Sequence, residues 1–286
     1  MTETKKVAIV TGASRGAGRG IAIALGEAGF IVYVTGRTLK EGQASLPGTI
    51  FETAEAVTAA GGTGIAVRCD HGNDTEIKEL FEQVEREQGR LDILVNNVAH
   101  IDDSLIEPGG FWEKPLTQSN ILTVGLRSQY VASWYAAPMM VRQKRGLIVF
   151  TSSFGSVCYM HGAAYGAQKA GVDKFAADMA IDFKDYNVAT VSIWMGMLLT
   201  ERSKRAIAEH PEIYGKLAEM AETPEFTGHL VTALYDDPEV MTLSGQTLIG
   251  AELADRYGLI DAGGKKPISH RPFLGDPRVP HPAIVR

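Results

Sequence analysis

Three glycines stand in the turn Thr11-Gly12-Ala13-Ser14-Arg15-Gly16-Ala17-Gly18, which follows directly on the short apolar run Val7–Val10 and opens a helical pattern. Glycine carries no Cβ, so Gly12, Gly16 and Gly18 let the backbone turn sharply between a strand and a helix and approach another group closely. The helix N-terminus placed there offers unpaired N–H groups and the positive end of its dipole, the arrangement that holds phosphate. Position gives the turn its force, because the chain holds 31 glycines and a triplet elsewhere would say little. Strand, glycine turn and helix in this order predict a dinucleotide-binding βαβ unit. Ser14, Arg15 and the three glycines are its candidate cofactor contacts.

The rest of the chain repeats the alternation. Short apolar runs at Ile31–Thr35, Ile65–Arg68, Ile93–Val95, Leu147–Phe150, Val188–Ile193 and Thr247–Ile249 read as strands. Helical patterns begin near Gly18, Ile50, Thr75, Leu116 and Ala164, and Asn73 with Glu76 resembles a capping box. Together these predict an α/β fold: a Rossmann-type, doubly wound, seven-stranded parallel sheet with helices on both faces. The length of 286 residues suits one domain spanning 1–286. Within it, Met197–Phe226 reads as a helical lid, and a proline-rich tail starts at about residue 265 (Pro267, Pro272, Pro277, Pro280, Pro282). That tail either packs as irregular structure over the domain or a neighbouring subunit, or is disordered.

Composition narrows the class. A net charge of −6 without a basic run argues against nucleic acid as a partner. The longest apolar stretch type, Val188–Leu199, is interrupted by Ser192 and Gly196 and falls short of a membrane span. Met1 to Val10 is too short and polar for a signal peptide, and Cys69 and Cys158 lack metal-ligand spacing and suit a reducing compartment. The expectation is a soluble, cytoplasmic protein with no membrane partner. His71, His100 and His161 show no ligand spacing, so no metal is expected and each reads as a surface or pocket-wall residue.

The second strand ends Val34-Thr35-Gly36-Arg37, where a dinucleotide fold would carry a carboxylate for the ribose hydroxyls of NAD. Arg37 stands there instead, with Arg15 in the glycine turn to assist, which favours a 2′-phosphate and hence NADP(H) over NAD(H). Charge-assisted hydrogen bonds of about 1.5–3 kcal/mol would give a roughly ten- to hundredfold preference. Tyr165 and Lys169, four apart at the start of a helical pattern, share one helix face. A tyrosine is a poor base at neutrality, and a nearby ammonium stabilises its phenolate. Ser152-Ser153 follows the strand Leu147–Phe150, at the carboxyl edge where such sheets put their chemistry, and a serine there can donate to a substrate oxygen.

With these residues in place, the chain resembles the classical short-chain dehydrogenases/reductases over roughly residues 5–250. Asp70 matches that family's adenine-contacting aspartate, Asn97 in Asn96-Asn97-Val98-Ala99 its adenosine-side asparagine, and Thr200 after Gly196 its nicotinamide-contacting threonine. Phe111-Trp112, Val124-Gly125-Leu126-Arg127, Tyr159-Met160 and Leu253–Leu259 are closest in flavour to the dehydrogenase/reductase member 1 type. The chain departs from the pattern at Met195-Gly196 (Pro-Gly in the family), at Gln168 (Ser before the lysine) and at Leu122, where a catalytic asparagine is usual and Asn120 lies two residues off. Strand alignment selects Ser153 as the catalytic serine, and spacing back from Tyr165 allows Ser152.

The resemblance implies hydride transfer between NADP(H) and a hydrophobic ketone or secondary alcohol. Tyr165 would be the acid/base, Lys169 would hold the nicotinamide ribose, and Ser153 would position the substrate oxygen. Phe154, Tyr159, Met160, Trp194, Met197, Leu198 and Leu199 would wall the substrate, with Trp194 equally suited to the core. The long helices around Leu116–Lys144 and Ala164–Phe183, with Trp134 and Tyr135, would pair in a homo-dimer or homo-tetramer. A non-catalytic NADP(H)-binding sensor or scaffold, and an isomerase or dehydratase on the same fold, are the alternatives.

Overall fold

The apolar runs pair into one parallel sheet in a computed structural model that describes residues 5–286. Its strands are β1 (Val7–Val10), β2 (Ile31–Gly36), β3 (Thr63–Arg68), β4 (Ile93–Asn96), β5 (Gly146–Ser152), β6 (Val188–Trp194) and β7 (Thr247–Ile249), in the order β3-β2-β1-β4-β5-β6-β7. Register runs Val7↔Ile31 between β1 and β2, Ala8↔Ile93 between β1 and β4, and Leu147↔Ala189 between β5 and β6. Alternate residues face opposite sides: Ala8, Val10, Leu147 and Val149 enter one apolar cluster, and Val7, Ile9, Ile148 and Phe150 the other. Burial on both faces is why these strands read as unbroken apolar runs.

The helices cover the two faces. In chain order they are α1 (Gly16–Glu27), α2 (Ile50–Ala59), α3 (Asp74–Gln88), the single turn α4 (Asn120–Leu122), α5 (Ser128–Gln143), α6 (Ala163–Phe183), α7 (Glu201–Glu209), α8 (Pro211–Met220), α9 (Phe226–Asp236), α10 (Gly250–Tyr257) and the short α11 (Arg271–Leu274). α1 and α9 pack on one face through Ile21, Leu25, Phe226 and Leu230, while α3, α5 and α6 cover the other through Leu80, Met140 and Val172. A π turn, Thr123–Arg127, joins α4 to α5, so the pattern beginning at Leu116 is broken into a 3-10 turn, α4 and the π turn before it becomes regular.

Capping differs from expectation. Asn73 caps α3 by accepting from Thr75 N, but Glu76 does not return to the Asn73 backbone as a capping box requires. Its carboxylate instead accepts from Asp70 N at 2.8 Å and pairs with Arg68 at 2.6 Å, because a charged guanidinium and a loop amide compete for the same oxygen. The complete capping box is at α2, where Thr49 and Glu52 accept from each other's backbone N–H.

The chain order 3-2-1-4 reverses between β1 and β4, and the crevice beyond their carboxyl ends is where open α/β sheets bind ligands. The segment beginning at Lys265 folds back over this edge: Leu274 packs beside Phe154 and Trp194, and Arg271 bonds the Glu252 carboxylate of α10 at 2.6 and 2.8 Å. No helix among the described residues is long and apolar enough to cross a membrane.

Candidate active site

The glycine turn is held in the crevice by threonine and asparagine. Thr11 Oγ1 accepts from Asn97 N at 2.9 Å and Val98 N at 3.0 Å, and Asn97 Nδ2 donates to Thr11 O at 2.9 Å. Gly12 has φ +66, and a Cβ on Gly18 would lie 2.4 Å from Gly12 O and 2.5 Å from Asn97 Nδ2. Glycine is therefore required by close approach at 18 and by backbone conformation at 12. Gly16 N donates to the Glu201 carboxylate at 2.9 Å, so an anionic group already sits at the start of α1. Thr200, which caps α7 by accepting from Ser203 N, flanks the same glycine. Ser14 is buried within the turn.

The predicted 2′-phosphate ligands lie at the end of β2, each already engaged. Arg15 donates to Pro47 O at 3.0 Å, Gly48 O at 2.7 Å and Thr38 Oγ1 at 3.1 Å, shaping the loop after β2. Exposed Arg37 stands 3.8 Å from Asp70, whose other oxygen accepts from Gly72 N at 2.9 Å.

Along β5 and α6 a second group converges. Ser153 Oγ lies 2.9 Å from Tyr165 OH, whereas Ser152 is fully buried with its hydroxyl directed at Lys169 O. Of the two serines, only Ser153 reaches the tyrosine hydroxyl. Gly155 makes room for the ring, since a Cβ there would lie 2.6 Å from Tyr165 Cε1. Lys169 Nζ donates to Thr151 O at 3.2 Å and stands 5.4 Å from the centre of the Tyr165 ring. Burial pulls the Lys169 ammonium down to about 8, with Asp173 pulling the other way. Burial also raises the Tyr165 phenol, against the Ser153 hydrogen bond, which lowers it. His161 meets the Tyr165 ring edge-on at 5.1 Å and borders an open cleft of about 380 Å³ lined also by Leu105, Ile106, Pro108, Lys114, Tyr159 and Tyr214.

Several expected wall residues lie elsewhere. Trp194 and Phe154 are buried against each other with ring centres 4.7 Å apart, and Trp194 Nε1 donates to Asp173 at 2.9 Å. They are core residues because β6 ends between two covered faces, and Met160 packs beside them. Of the expected wall, Tyr159 lines the cleft, and Lys114 and His161 make it more polar than the sequence suggested. His71 is neither a surface nor a wall residue. It is buried, bonded to Thr35 Oγ1 at 2.8 Å, and burial pushes its imidazole down to about 4. Among the described residues no group of His, Cys, Asp or Glu is placed to hold a metal.

Two carboxylates escaped the sequence argument. Asp173 accepts from Ser192 Oγ and Trp194 Nε1 and continues the Tyr165, Lys169 stripe by one more four-residue step, a spacing that could have flagged it. Glu222 is buried after α8 and accepts from Gly196 N at 3.2 Å, and no local pattern announces it. At the positions that depart from the family pattern, Leu122 ends α4 partly exposed, and Gln168 Nε2 donates to Gly125 O in the π turn at 2.9 Å.

A sequence-family model described as short chain dehydrogenase matches residues 6–211. The chain is 42% identical to "Dehydrogenase/reductase SDR family member 1" of Mus musculus, over 91% of this chain and 84% of that protein. The human protein of the same name is 41% identical with the same coverage. A "3-oxoacyl-[acyl-carrier-protein] reductase" of Synechocystis sp. is 28% identical over 85% of this chain and 94% of its own. A crystal structure of a Xanthomonas campestris protein superposes with a TM-score of 0.76 at 24% identity, covering 96% of each chain, a likeness of fold. Glycine turn, sheet order and this breadth of identity agree: the chain belongs to the short-chain dehydrogenases.

Proposed function

We propose that this chain transfers hydride between NADP(H) and a ketone or secondary alcohol with an apolar body. The observation that carries the reading is the 2.9 Å contact between Ser153 Oγ and Tyr165 OH, at the carboxyl edge of the sheet beside the cleft. A nicotinamide dinucleotide fits the crevice. The glycine turn packs its backbone closely against Asn97 and Val98 at the start of α1, and Gly16 N already donates to the Glu201 carboxylate, an anionic stand-in for phosphate. Gly12, Ser14, Gly16, Gly18 and Asn97 would hold the dinucleotide along the turn, Asp70 its adenine end and Thr200 its nicotinamide end. Arg37, with Arg15 bracing the loop beside it, supports NADP(H) over NAD(H). When bound, the nicotinamide supplies or takes up the hydride.

The chain's own residues manage the proton. In reduction Tyr165 gives its hydroxyl proton to the carbonyl oxygen, and in oxidation it takes the proton of the alcohol. Ser153, within hydrogen-bond reach of the tyrosine oxygen, donates to the same substrate oxygen and opposes the charge developing on it. Lys169, at about 8, stays mostly charged at neutral pH and stabilises the phenolate left behind. Its other role is to hold the nicotinamide ribose. The apolar part of the substrate would rest against Leu105, Ile106, Pro108, Tyr159 and Tyr214.

The test is consumption of NADPH, followed at its nicotinamide absorbance, with a panel of aliphatic, aromatic and bulky cyclic ketones. The expected result is turnover of several apolar ketones and little of sugars. Tight nucleotide binding without turnover would replace the reading with a non-catalytic sensor, and substrate conversion without net NADPH loss with an isomerase or dehydratase.

A further inference from the structure

The two helices α7 and α8 rise from the carboxyl edge and return to it, and their roots meet at one residue. Glu222 N donates to Met197 O at 2.7 Å, and Leu199 N donates to Glu222 O at 2.9 Å, a parallel bridge between Leu198 and Glu222. Its side chain makes a third tie, accepting from Gly196 N at 3.2 Å. Gly196 and Glu222 are a matched pair, since a Cβ on the glycine would lie 2.6 Å from Glu222 Oε1. The outgoing root continues through Thr200 and Glu201 to the glycine turn, where Glu201 accepts from Gly16 N. A single buried side chain thus joins the incoming root of the helical pair to the segment that borders the proposed nicotinamide end.

We propose that Glu222 is a positioning residue, the clasp that ties the two roots of the α7–α8 lid together and thereby sets how firmly the lid closes over the proposed nicotinamide end. The clasp is poised to titrate. Burial, reinforced by Asp261, pushes the Glu222 carboxyl up to about 7, against the opposing pull of the Gly196 N–H and Lys265. The charged groups facing it are those two: Asp261, which accepts from Thr223 N at 2.7 Å, and Lys265, whose ammonium donates to Ala221 O at 2.7 Å. A carboxyl with a raised value in the closed arrangement, and an ordinary one when the roots part and water reaches it, binds its proton more tightly when closed. The neutral form therefore holds the lid shut. Parting of the roots is increasingly favoured as pH rises from about 4.5, where the open form ionises, to about 7, where the closed form ionises as well and the effect levels off.

This inference rests on the proposed cofactor site for its consequence, but its test does not. Hydrogen–deuterium exchange on the full-length protein without nucleotide, at pH 6 and pH 8, reads lid opening directly once the intrinsic amide rates are divided out. Moving from an ordinary value near 4.5 to about 7 on closing predicts about tenfold more opening at pH 8 than at pH 6 for peptides spanning 197–223. The strands β4 and β5 serve as the unchanged internal reference.

Glu222→Gln keeps an acceptor for Gly196 N but cannot ionise, so its lid should be protected equally at both pH values. It should be better protected than the wild type even at pH 6, where the open form of the wild type has already lost its proton. Gly196→Ala, which drives a methyl group into the carboxyl, should raise lid exchange at both. Wild-type lid exchange that does not change with pH, or a pH response that survives in Glu222→Gln, overturns the proposal. If the Gln variant fails to fold, the wild-type comparison and Gly196→Ala decide. A pH-dependent lid in a protein that binds neither NADPH nor NADH supports the clasp and defeats the functional reading above.

Discussion

Buried charge is handled differently at the two edges of this sheet. At the amino edge, the Asp92 carboxylate just before β4 accepts from Val7 N at 2.8 Å, from Arg90 at 2.7 and 2.9 Å and from the Tyr235 hydroxyl at 2.5 Å. Every lone pair is used, and the group cements β1, β4 and α9 together. At the carboxyl edge, Lys169 is equally enclosed yet donates to a backbone carbonyl, Thr151 O at 3.2 Å, and the Glu222 carboxyl accepts from one amide, Gly196 N. Desolvation then dominates, and both groups are driven toward their neutral forms. A saturated buried charge makes a structural joint, and an under-paired one keeps a proton available near neutrality.

The sharpest way to break that contrast is at the tyrosine. Tyr165→Phe should lower kcat by roughly a hundred- to ten-thousandfold while the dissociation constant for the dinucleotide stays within a few-fold. Lys169→Ala should impair both. A Phe variant with normal kcat would remove the carboxyl edge from the chemistry.

At the opposite edge, Asp92→Ala should destabilise the fold by about 3 kcal/mol, because it removes the acceptor shared by Val7 N, the Arg90 guanidinium and the buried Tyr235 hydroxyl. It should leave the kcat of the folded fraction unchanged. Urea unfolding with kinetics on the same samples checks this, and a large kcat loss at unchanged stability would erase the division of labour.

The third comparison concerns pH and stability. Between about 4.5 and 7 the folded protein keeps the Glu222 proton that the unfolded chain has lost, so wild-type stability falls as pH rises through that window. Glu222→Gln lacks this loss and should be more stable than wild type by about 1–3 kcal/mol at pH 8. At pH 5 the gap should be far smaller. An equal gap at both pH values in urea titrations would show that the carboxyl is not under-paired.

Arg37→Asp should reverse or erase the expected NADPH preference of roughly ten- to hundredfold, since a carboxylate repels a 2′-phosphate and accepts from ribose hydroxyls. Fluorescence titration with both nucleotides measures it, and equal wild-type affinities would remove Arg37 from the site. The smallest effect is expected at Leu122→Asn. If Thr123 or a backbone carbonyl near the π turn holds a water for Lys169, restoring the family asparagine should change kcat by less than about threefold, because the proton path of the lysine is already served. A rise of tenfold or more would mean that proton supply limits turnover.

Much of the fold was legible because its signals are local. Every predicted strand is present, lengthened at most by two residues at an end, since a strand buried on both faces must be apolar throughout. The pattern at Ile50 is a true helix, and its start is fixed by Thr49 and Glu52. The site was legible where chemistry follows chain spacing, as with Tyr165 and Lys169 on one face of α6 and the glycine turn before α1. It was not legible where burial decides. Trp194 and Phe154 carry the composition of a pocket wall and the position of a core, and only the packing of β6 against the segment after β5 and the returning tail distinguishes them.

By itself, then, the sequence determined the order of elements, the parallel sheet and the residue types at the carboxyl edge, because each depends on neighbours a few positions away. Tertiary structure decided which serine reaches Tyr165, that Asp173 and Glu222 stand behind the site, and which buried charges are saturated. Ser152 and Ser153 are adjacent in sequence and point to opposite sides of an extended chain, so one is sealed beneath Lys169 and the other reaches the tyrosine. Glu222 meets Gly196 across 26 positions of chain, and its proton affinity is set by the water excluded when those segments pack, a property of the assembled edge and of no single stretch of sequence.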